Sequence, residues 1–319
     1  MTSPVAMIKL NSGHSIPQLG LGTWLSKPGE VATAVKAAIQ AGYRHIDCAF
    51  IYRNQEEVGT ALQECIANGK VKREELFITS KVWNTFHSFN ACKDHVKTIL
   101  QQLKLEYLDL CLIHWPYGFK EGGDLFPKQN PDDFELILSD VDYLETWRGL
   151  EDCVKTGLIK SIGLSNFNSK QIQRVIDNST IKPAVIQVEL HPFLQQKNLH
   201  AFCKERGIQM TSYSPFTNPG SIFRKEGQPL ALQEPTIVAI ANALGKNPGQ
   251  VILRWLIQRG IVVIPKSTNP ERISQNFQIW DFKLSQDQMD QIANLDRNYR
   301  FATMDRDRKH PLFPFAEEF

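Results

Sequence analysis

The chain is predicted to be an α/β protein whose strands close into a (β/α)8 barrel. It carries an N-terminal β-hairpin, two long strand-to-helix loops and a C-terminal tail over the C-terminal face of the barrel. Three observations predict this. Between residues 19 and 278 a short apolar run is followed by a helical stretch eight times, the repeat that such a barrel needs. The two longest loops, 115–140 and 215–234, both follow strands, on the side where lids and substrate loops belong. Every strand runs into a polar or aromatic residue. A doubly wound open sheet would instead need a G-x-G-x-x-G turn after its first strand. The only candidate, Gly20-Leu21-Gly22-Thr23-Trp24-Leu25, lacks the third glycine and puts a bulky Trp in the turn. At 319 residues, the whole chain, 1–319, reads as one barrel domain, a length that α/β barrels reach.

Residues 5–10 and 15–18 alternate around Asn11-Ser12-Gly13-His14 and read as the hairpin. Leu19 to Gly22 is the first strand, followed by a helix from Pro28 to Ala41. Tyr43 to Ile46 is the second, and its helix, 54–68, stops at Asn68-Gly69. Leu76 to Thr79 is the third, before a helix near 88–103. Leu108 to Ile113 is nearly continuous in apolar character, as a parallel strand buried on both faces must be. After the insertion from Trp115 to about Asp140, rich in Gly, Pro and charge, come a helix (141–156), a strand (Lys160 to Leu164), a helix (168–178), a strand (Ala184 to Val188), a helix (195–206) and a strand (Ile208 to Ser212). The second long loop leads to helices at 235–244 and 248–259, the eighth strand, Ile261 to Ile264, and a helix from Pro270 to about Gln278. An amphipathic helix near 285–294 precedes a tail rich in aromatics and Pro.

Thirty-six basic residues against thirty-four acidic ones leave a formal charge of +2, which is no footprint for nucleic acid or an anionic membrane. The six cysteines are dispersed without a C-x-x-C pair and read as reduced thiols. No Cys–His cluster has metal spacing, so a metal-free site is expected. The start, MTSPVAMIKL, lacks a long apolar region, and no apolar run approaches membrane-spanning length. A soluble cytoplasmic protein is therefore expected. The absence of a heptad seam and of an obvious edge strand points to a monomer.

Thr23 and Trp24 follow the first strand, Asp47 the second, Lys81 the third and His114 the fourth. Ser165 and Asn166 follow the fifth, Gln187 lies near the end of the sixth, Tyr213 ends the seventh, and Lys266 and Ser267 follow the eighth. A closed parallel barrel brings all of these to one face. Each alone has an ordinary structural reading: a solvated lysine, a satisfied core histidine, a helix-capping asparagine. Eight strands all ending this way do not.

Chemistry can be assigned to three of them, Asp47, Lys81 and His114, together with Tyr52 in the loop five residues after Asp47. A phenol at Tyr52 has an ordinary pKa of about 10, and a neighbouring Lys81 ammonium would lower it. Asp47 would hold Lys81 charged and oriented. His114 would aim an N–H at the same point as the Tyr52 hydroxyl, so that two donors polarise one carbonyl oxygen and stabilise the alkoxide formed as hydride arrives. Tyr52 would then give up its proton.

The stretch Gly42-Tyr43-Arg44-His45-Ile46-Asp47-Cys48-Ala49, with Tyr52 and Glu57-Val58-Gly59, resembles the signature of the aldo-keto reductases. The resemblance recurs in Lys81-Val82-Trp83, Ile113-His114-Trp115-Pro116, Gly163-Leu164-Ser165-Asn166-Phe167 and Ile264-Pro265-Lys266-Ser267. It runs through essentially the whole chain and lies closest to the aldose and aldehyde reductase branch. It implies a barrel, NADPH-dependent carbonyl reduction of a small-molecule substrate, and a catalytic tetrad on Asp47, Tyr52, Lys81 and His114. It further implies that Ser165, Asn166 and Gln187 bond the nicotinamide carboxamide and that Tyr213 stacks on its ring. Thr23, Trp24, Ser214, Gln275 and Asn276 would join the cofactor contacts. Trp24, Trp83, Trp115 and Phe126, with His114, would line an apolar substrate slot. Phe50 and Ile51 stand where His-Val is usual, Ala302 where some members carry a reactive cysteine, and Gln275 where glutamate is common. A regulatory or structural dinucleotide-binding protein on the same fold would tolerate loss of Tyr52 or His114. Both are present.

The segment Lys266-Ser267-Thr268-Asn269-Pro270-Glu271-Arg272 ends at a helix N-terminus, with Asn269 suited to the cap and Pro270 to the first turn. Free amides there favour an anion. With Lys266, Ser267 and Arg272 they would form a pocket for a phosphate ester, which predicts a preference for NADPH over NADH.

Overall fold

The computed structural model describes residues 5–220 and 224–316; positions 221–223 of the second long loop, 1–4 and 317–319 lie outside it. Strands β1 (Met7–Lys9) and β2 (Ser15–Pro17) form the expected hairpin, with Ile8 opposite Ile16. Leu10 and Ile16 pack beneath the barrel against Phe77, Leu110 and Val185. Asn11 Nδ2 donates to the Pro183 carbonyl at 2.8 Å, and the Ser12 and Ser161 hydroxyls meet at 2.8 Å. The hairpin therefore plugs the face opposite the strand C-termini.

The barrel begins with β3 (Gly20–Gly22), α1 (Glu30–Ala41), β4 (His45–Asp47), α2 (Gln55–Ala67), β5 (Phe77–Val82), α3 (Phe89–Leu103) and β6 (Leu108–Ile113). Inside the first long loop, β7 (Gly118–Phe119) and β8 (Leu138–Ser139) pair as a small antiparallel ribbon, which two-residue strands do not announce in a sequence. The series resumes with α4 (Tyr143–Lys155), β9 (Ile159–Ser165), α5 (Ser169–Asp177), β10 (Val185–Glu189), α6 (Lys197–Glu205) and β11 (Gln209–Tyr213). Helices α7 (Pro235–Leu244) and α8 (Pro248–Gln258) precede β12 (Val262–Val263), α9 (Pro270–Phe277) and α10 (Gln286–Ala293).

The eight long-range strands are parallel in the order β12-β11-β10-β9-β6-β5-β4-β3. Bridges Leu19–Val263 and Gly22–Lys266 close the ring, with the Gly22 N–H on the Pro265 carbonyl at 3.1 Å. Closure needs glycine here, because a Cβ at residue 22 would lie 2.8 Å from the Ile264 carbonyl oxygen.

Most boundaries shift by one or two residues from expectation, and two shifts have identifiable reasons. The second strand starts at His45 rather than Tyr43. Gly42, at φ 112°, caps α1, and the Tyr43 N–H still bonds the Ala38 carbonyl at 2.9 Å. The residue pair is thus spent on ending the helix. The third strand runs on to Val82, so Lys81 lies within it, its neighbours paired to β6 on one side. A strand position fixes a long side chain better than a loop would.

The helices cap as their sequences direct. Asn168, Asn247 and Ser285 form reciprocal boxes with Gln171, Gln250 and Gln288. The tail crosses the C-terminal face, where Asn168 Nδ2 takes the Pro314 carbonyl and Gln171 Nε2 the Leu312 carbonyl.

Buried histidines make the fold acid-sensitive, His45, His87 and His95 among them. Burial pushes His45 down to about 4, and pushes His87 and His95 down to about 3. Neither ring nitrogen of His87 or His95 finds a partner among the described residues, and the groups that face them are each other and His310. The unfolded chain binds these protons near pH 6.5 while the folded chain refuses them. Stability is therefore full above that pH and is lost as pH falls toward the folded values. The loss is on the order of 1.4 kcal/mol per pH unit for each histidine. Denaturant midpoints should fall between pH 7 and pH 5, and His95→Gln should flatten that slope.

Candidate active site

β4 delivers Asp47 to the C-terminal rim. After Cys48 and extended Ala49, a single 3-10 turn, Phe50–Tyr52, swings the phenol back over the strand end. The turn is closed by the Tyr52 N–H on the Ala49 carbonyl at 3.1 Å, and Arg53 leaves it in the left-handed region. From β5, Lys81 reaches the same place. Its Nζ donates to Asp47 Oδ1 at 2.6 Å, to the Cys48 carbonyl at 2.9 Å and to the Tyr52 hydroxyl at 3.5 Å. An ammonium has three protons, and each has a partner. Asp47 and Lys81 are 2% and 1% exposed, so the pair is desolvated and cannot trade partners with water. The second carboxylate oxygen of Asp47 accepts from Gln187 Nε2 at 2.8 Å.

The electrostatics correct one expectation. Lys81 was expected to lower the Tyr52 pKa; burial instead raises it well above 10, and the Asp47 charge adds to the rise. Lys81 is spent on Asp47 at 2.6 Å and stands 3.5 Å from the phenol, so its pull is largely neutralised before it arrives. Such a phenol keeps its proton at neutral pH, which suits a donor to an alkoxide.

His114 follows β6, its N–H bonded to the Val82 carbonyl at 3.1 Å. Burial, then the Lys81 charge, holds its pKa well below 6.5, so the imidazole is neutral. Its ring stands edge-on to Tyr52 at 6.1 Å and to Trp83 at 5.5 Å.

Above the tetrad, Asn166 at the end of β9 adopts φ 62° and Ser214 at the end of β11 φ 50°. Asn166 Nδ2 donates to the His114 carbonyl and to Ser165 Oγ, both at 3.1 Å, and its Oδ1 accepts from Tyr213 at 2.8 Å. These bonds leave the Ser165 hydroxyl proton, one Asn166 lone pair, and the Gln187 carbonyl oxygen with one of its amide protons. That donor and acceptor set fits a primary carboxamide such as nicotinamide carries. Thr23 braces the rim, its hydroxyl on the Asp47 carbonyl at 2.8 Å.

At the eighth strand, Lys266 is exposed at the head of α9, with Nζ 3.3 Å from the Leu25 carbonyl. Its pKa is lowered by partial burial and by Arg272 and Lys27, opposed by Glu30. Lys266 thus has cationic neighbours in Arg272 and Lys27. The expected row of free amides is shorter than foreseen. Pro270 has none, Asn269 Oδ1 takes the Arg272 N–H at 3.0 Å, and Ile273 bonds the Asn269 carbonyl. Side chains rather than amides are therefore what this helix start offers an anion. Ser267 Oγ accepts the Asn269 N–H at 3.2 Å. Gln275 is tied to Glu271 at 3.2 Å and to Asn247 at 3.5 Å, and Asn276 is buried beside it.

Trp83, Trp115, Tyr117, Phe119, Leu136 and Phe313 form a buried apolar cluster, with Phe126, Met304, Leu312 and Phe315 among the partly buried residues packed against it. Trp83 Nε1 donates to the Leu125 carbonyl at 2.8 Å, and its ring lies 5.4 Å from Phe126. Trp24 is half-buried after β3 and is not part of this cluster. Tyr117 and the tail aromatics are not singled out by the sequence; for the tail residues the signal is its aromatic, Pro-rich composition. Among the described residues no group of three or more His, Cys, Asp or Glu could hold a metal ion, and no helix is long and apolar enough to cross a membrane.

Residues 18–297 match the model of the aldo/keto reductase family. The chain belongs to the aldo/keto reductase family. Among related aldo/keto reductases, the chain is 47% identical to aldo-keto reductase family 1 member A1 of Xenopus tropicalis, over 100% of both chains. It is 45% identical to the human protein of that name, over 98% of each. The aldose reductase structure from Schistosoma japonicum superposes with a TM-score of 0.92 at 43% identity, over 98% of this chain and 100% of that one. An aldo-keto reductase from Bombyx mori in complex with NADP gives 0.87 at 40%, over 98% and 99%. The eight-stranded barrel expected of an aldo/keto reductase is the barrel found.

Proposed function

We propose that the chain reduces aldehydes and ketones to alcohols with NADPH, Tyr52 acting as general acid. The observation that carries this is the saturated Lys81 ammonium, fixed between Asp47, the Cys48 carbonyl and the Tyr52 hydroxyl beside a neutral His114. When bound, NADPH supplies the hydride. Ser165, Asn166 and Gln187 hold the carboxamide, Tyr213 covers the ring, and Lys266, Ser267 and Arg272 hold the 2′-phosphate. The Tyr52 O–H and the His114 N–H grip the carbonyl oxygen and stabilise the charge that develops there. Tyr52 then passes its proton to that oxygen, and the Lys81 ammonium, held in place by Asp47, offsets part of the cost of the resulting phenolate. The aromatic slot gives apolar area with few polar demands, which suits a range of carbonyl compounds.

The test is initial-rate reduction of an aromatic aldehyde with NADPH and with NADH, for the wild type and Arg272→Ala. Charge-assisted bonds are worth roughly 1.5–3 kcal/mol. The wild type should prefer NADPH, and Arg272→Ala should weaken NADPH by about tenfold or more while leaving NADH nearly unchanged. Equal losses for the two cofactors would remove the 2′-phosphate from this pocket.

A further inference from the structure

Beyond Gln187, β10 carries a carboxylate for which the reduction chemistry has no use. Glu189, its last residue, is fully buried. Its Oε1 accepts the Phe301 N–H at 2.8 Å and His191 Nε2–H at 2.9 Å, and its Oε2 accepts the Ala302 N–H at 2.8 Å. His191 is as deeply buried, and its Nδ1 accepts the Phe193 N–H at 3.3 Å. That bond puts the imidazole proton on Nε2, pointing at Glu189. The seat continues along the same loop. The Phe193 carbonyl accepts the amides of Arg297 at 3.1 Å and Tyr299 at 2.9 Å, and the Phe301 ring stands 5.4 Å from His191.

A buried carboxylate without donors would be costly. Burial alone would raise the Glu189 pKa, yet His191, Arg300 and the Phe301 amide together hold it below the ordinary value. The carboxylate and the tail therefore need each other. Two residues past the clamped amides Met304 packs against the aromatic cluster, which Leu312 and Phe315 join farther along the tail, with Phe315 at 5.9 Å from Trp115.

We propose that Glu189 is a positioning residue for substrate selection: by holding the Phe301 and Ala302 amides it sets where the start of the tail wall, at Met304, stands beside the carbonyl pocket, while Asn168 and Gln171 hold its far end. The proposal rests on the reductase reading. It assigns to a residue that touches neither substrate nor cofactor the spacing between a fixed barrel rim and a wall built from the far end of the chain.

The test uses the full chain and Glu189→Gln, which keeps the volume but turns one acceptor oxygen into an NH2 that cannot accept an amide proton. Three quantities are read: hydrogen exchange of segment 300–304, NADPH affinity, and kcat/KM for a small aliphatic and a bulky aromatic aldehyde. Exchange in the segment should quicken by about tenfold or more. The bulky-to-small ratio of kcat/KM should shift by about tenfold, mainly through KM, with NADPH affinity held within about twofold. Ala302→Pro removes a donor from the tail instead of an acceptor from the barrel, and should move the ratio as Glu189→Gln does. Unchanged tail exchange, or a uniform loss on both aldehydes together with lost NADPH affinity, would overturn the clamp. A wild type without turnover on any aldehyde would contradict the reductase reading itself, whatever the tail does.

Discussion

Tyr52→Phe is expected to lower turnover by about 10² or more while cofactor binding and fold survive. The ring packing is retained, since the contacts to His114 and to the Lys81 ammonium, 5.2 Å from the ring centroid, involve the ring itself. On the proposed mechanism, what disappears is the proton that completes the alcohol. Because burial raises the phenol pKa well above 10, the donor stays loaded through the ordinary working range. Reduction by the wild type should accordingly show no alkaline loss between about pH 7 and about pH 9. Steady-state rates of wild type and variant across that range check both statements. A Tyr52→Phe enzyme as fast as wild type would assign the acid elsewhere.

Lys81→Met is expected to cost both activity and roughly 3–5 kcal/mol of stability. The substitution preserves much of the apolar stem but strands Asp47, 2% exposed, without its counter-ion at 2.6 Å. Gln187 remains bonded to the other carboxylate oxygen, yet one neutral donor does not replace an ammonium. The double variant Lys81→Met/Asp47→Asn removes both charges and should recover most of the stability, though not the turnover. Urea midpoints for the two variants separate the ion pair's structural cost from its catalytic use. A double variant as unstable as the single one would mean that packing of the lysine stem, not the stranded charge, sets the loss.

Much of this site was legible in the sequence, and the reason is geometric. A parallel barrel sends every strand end to one face, so Asp47, His114, Ser165 and Tyr213 are found by asking what each apolar run delivers. Lys81 was found the same way, although it lies inside β5 rather than after it. What stayed hidden depends on three-dimensional distance. The sign of the Tyr52 shift turns on Lys81 being 2.6 Å from a carboxylate and 3.5 Å from the phenol. The Gln187–Asp47 bond joins residues 140 apart in sequence, and the Glu189 bond to Phe301 joins residues 112 apart. No local pattern encodes either. The ribbon of β7 and β8 escaped because two-residue strands have no periodicity to read. The amides at the head of α9 were overcounted because the cap that made the helix recognisable, Asn269, also consumes one of them.

The most direct test of the account is to reduce an aromatic aldehyde with NADPH carrying deuterium on one face of the nicotinamide C4, and to examine the alcohol. The account predicts one deuterium on the carbinol carbon from one of the two labelled faces and none from the other, because a ring held by Ser165, Asn166, Gln187 and Tyr213 can present only one side. Alcohol without label from either face, or tight NADPH binding with no alcohol at all, would contradict it.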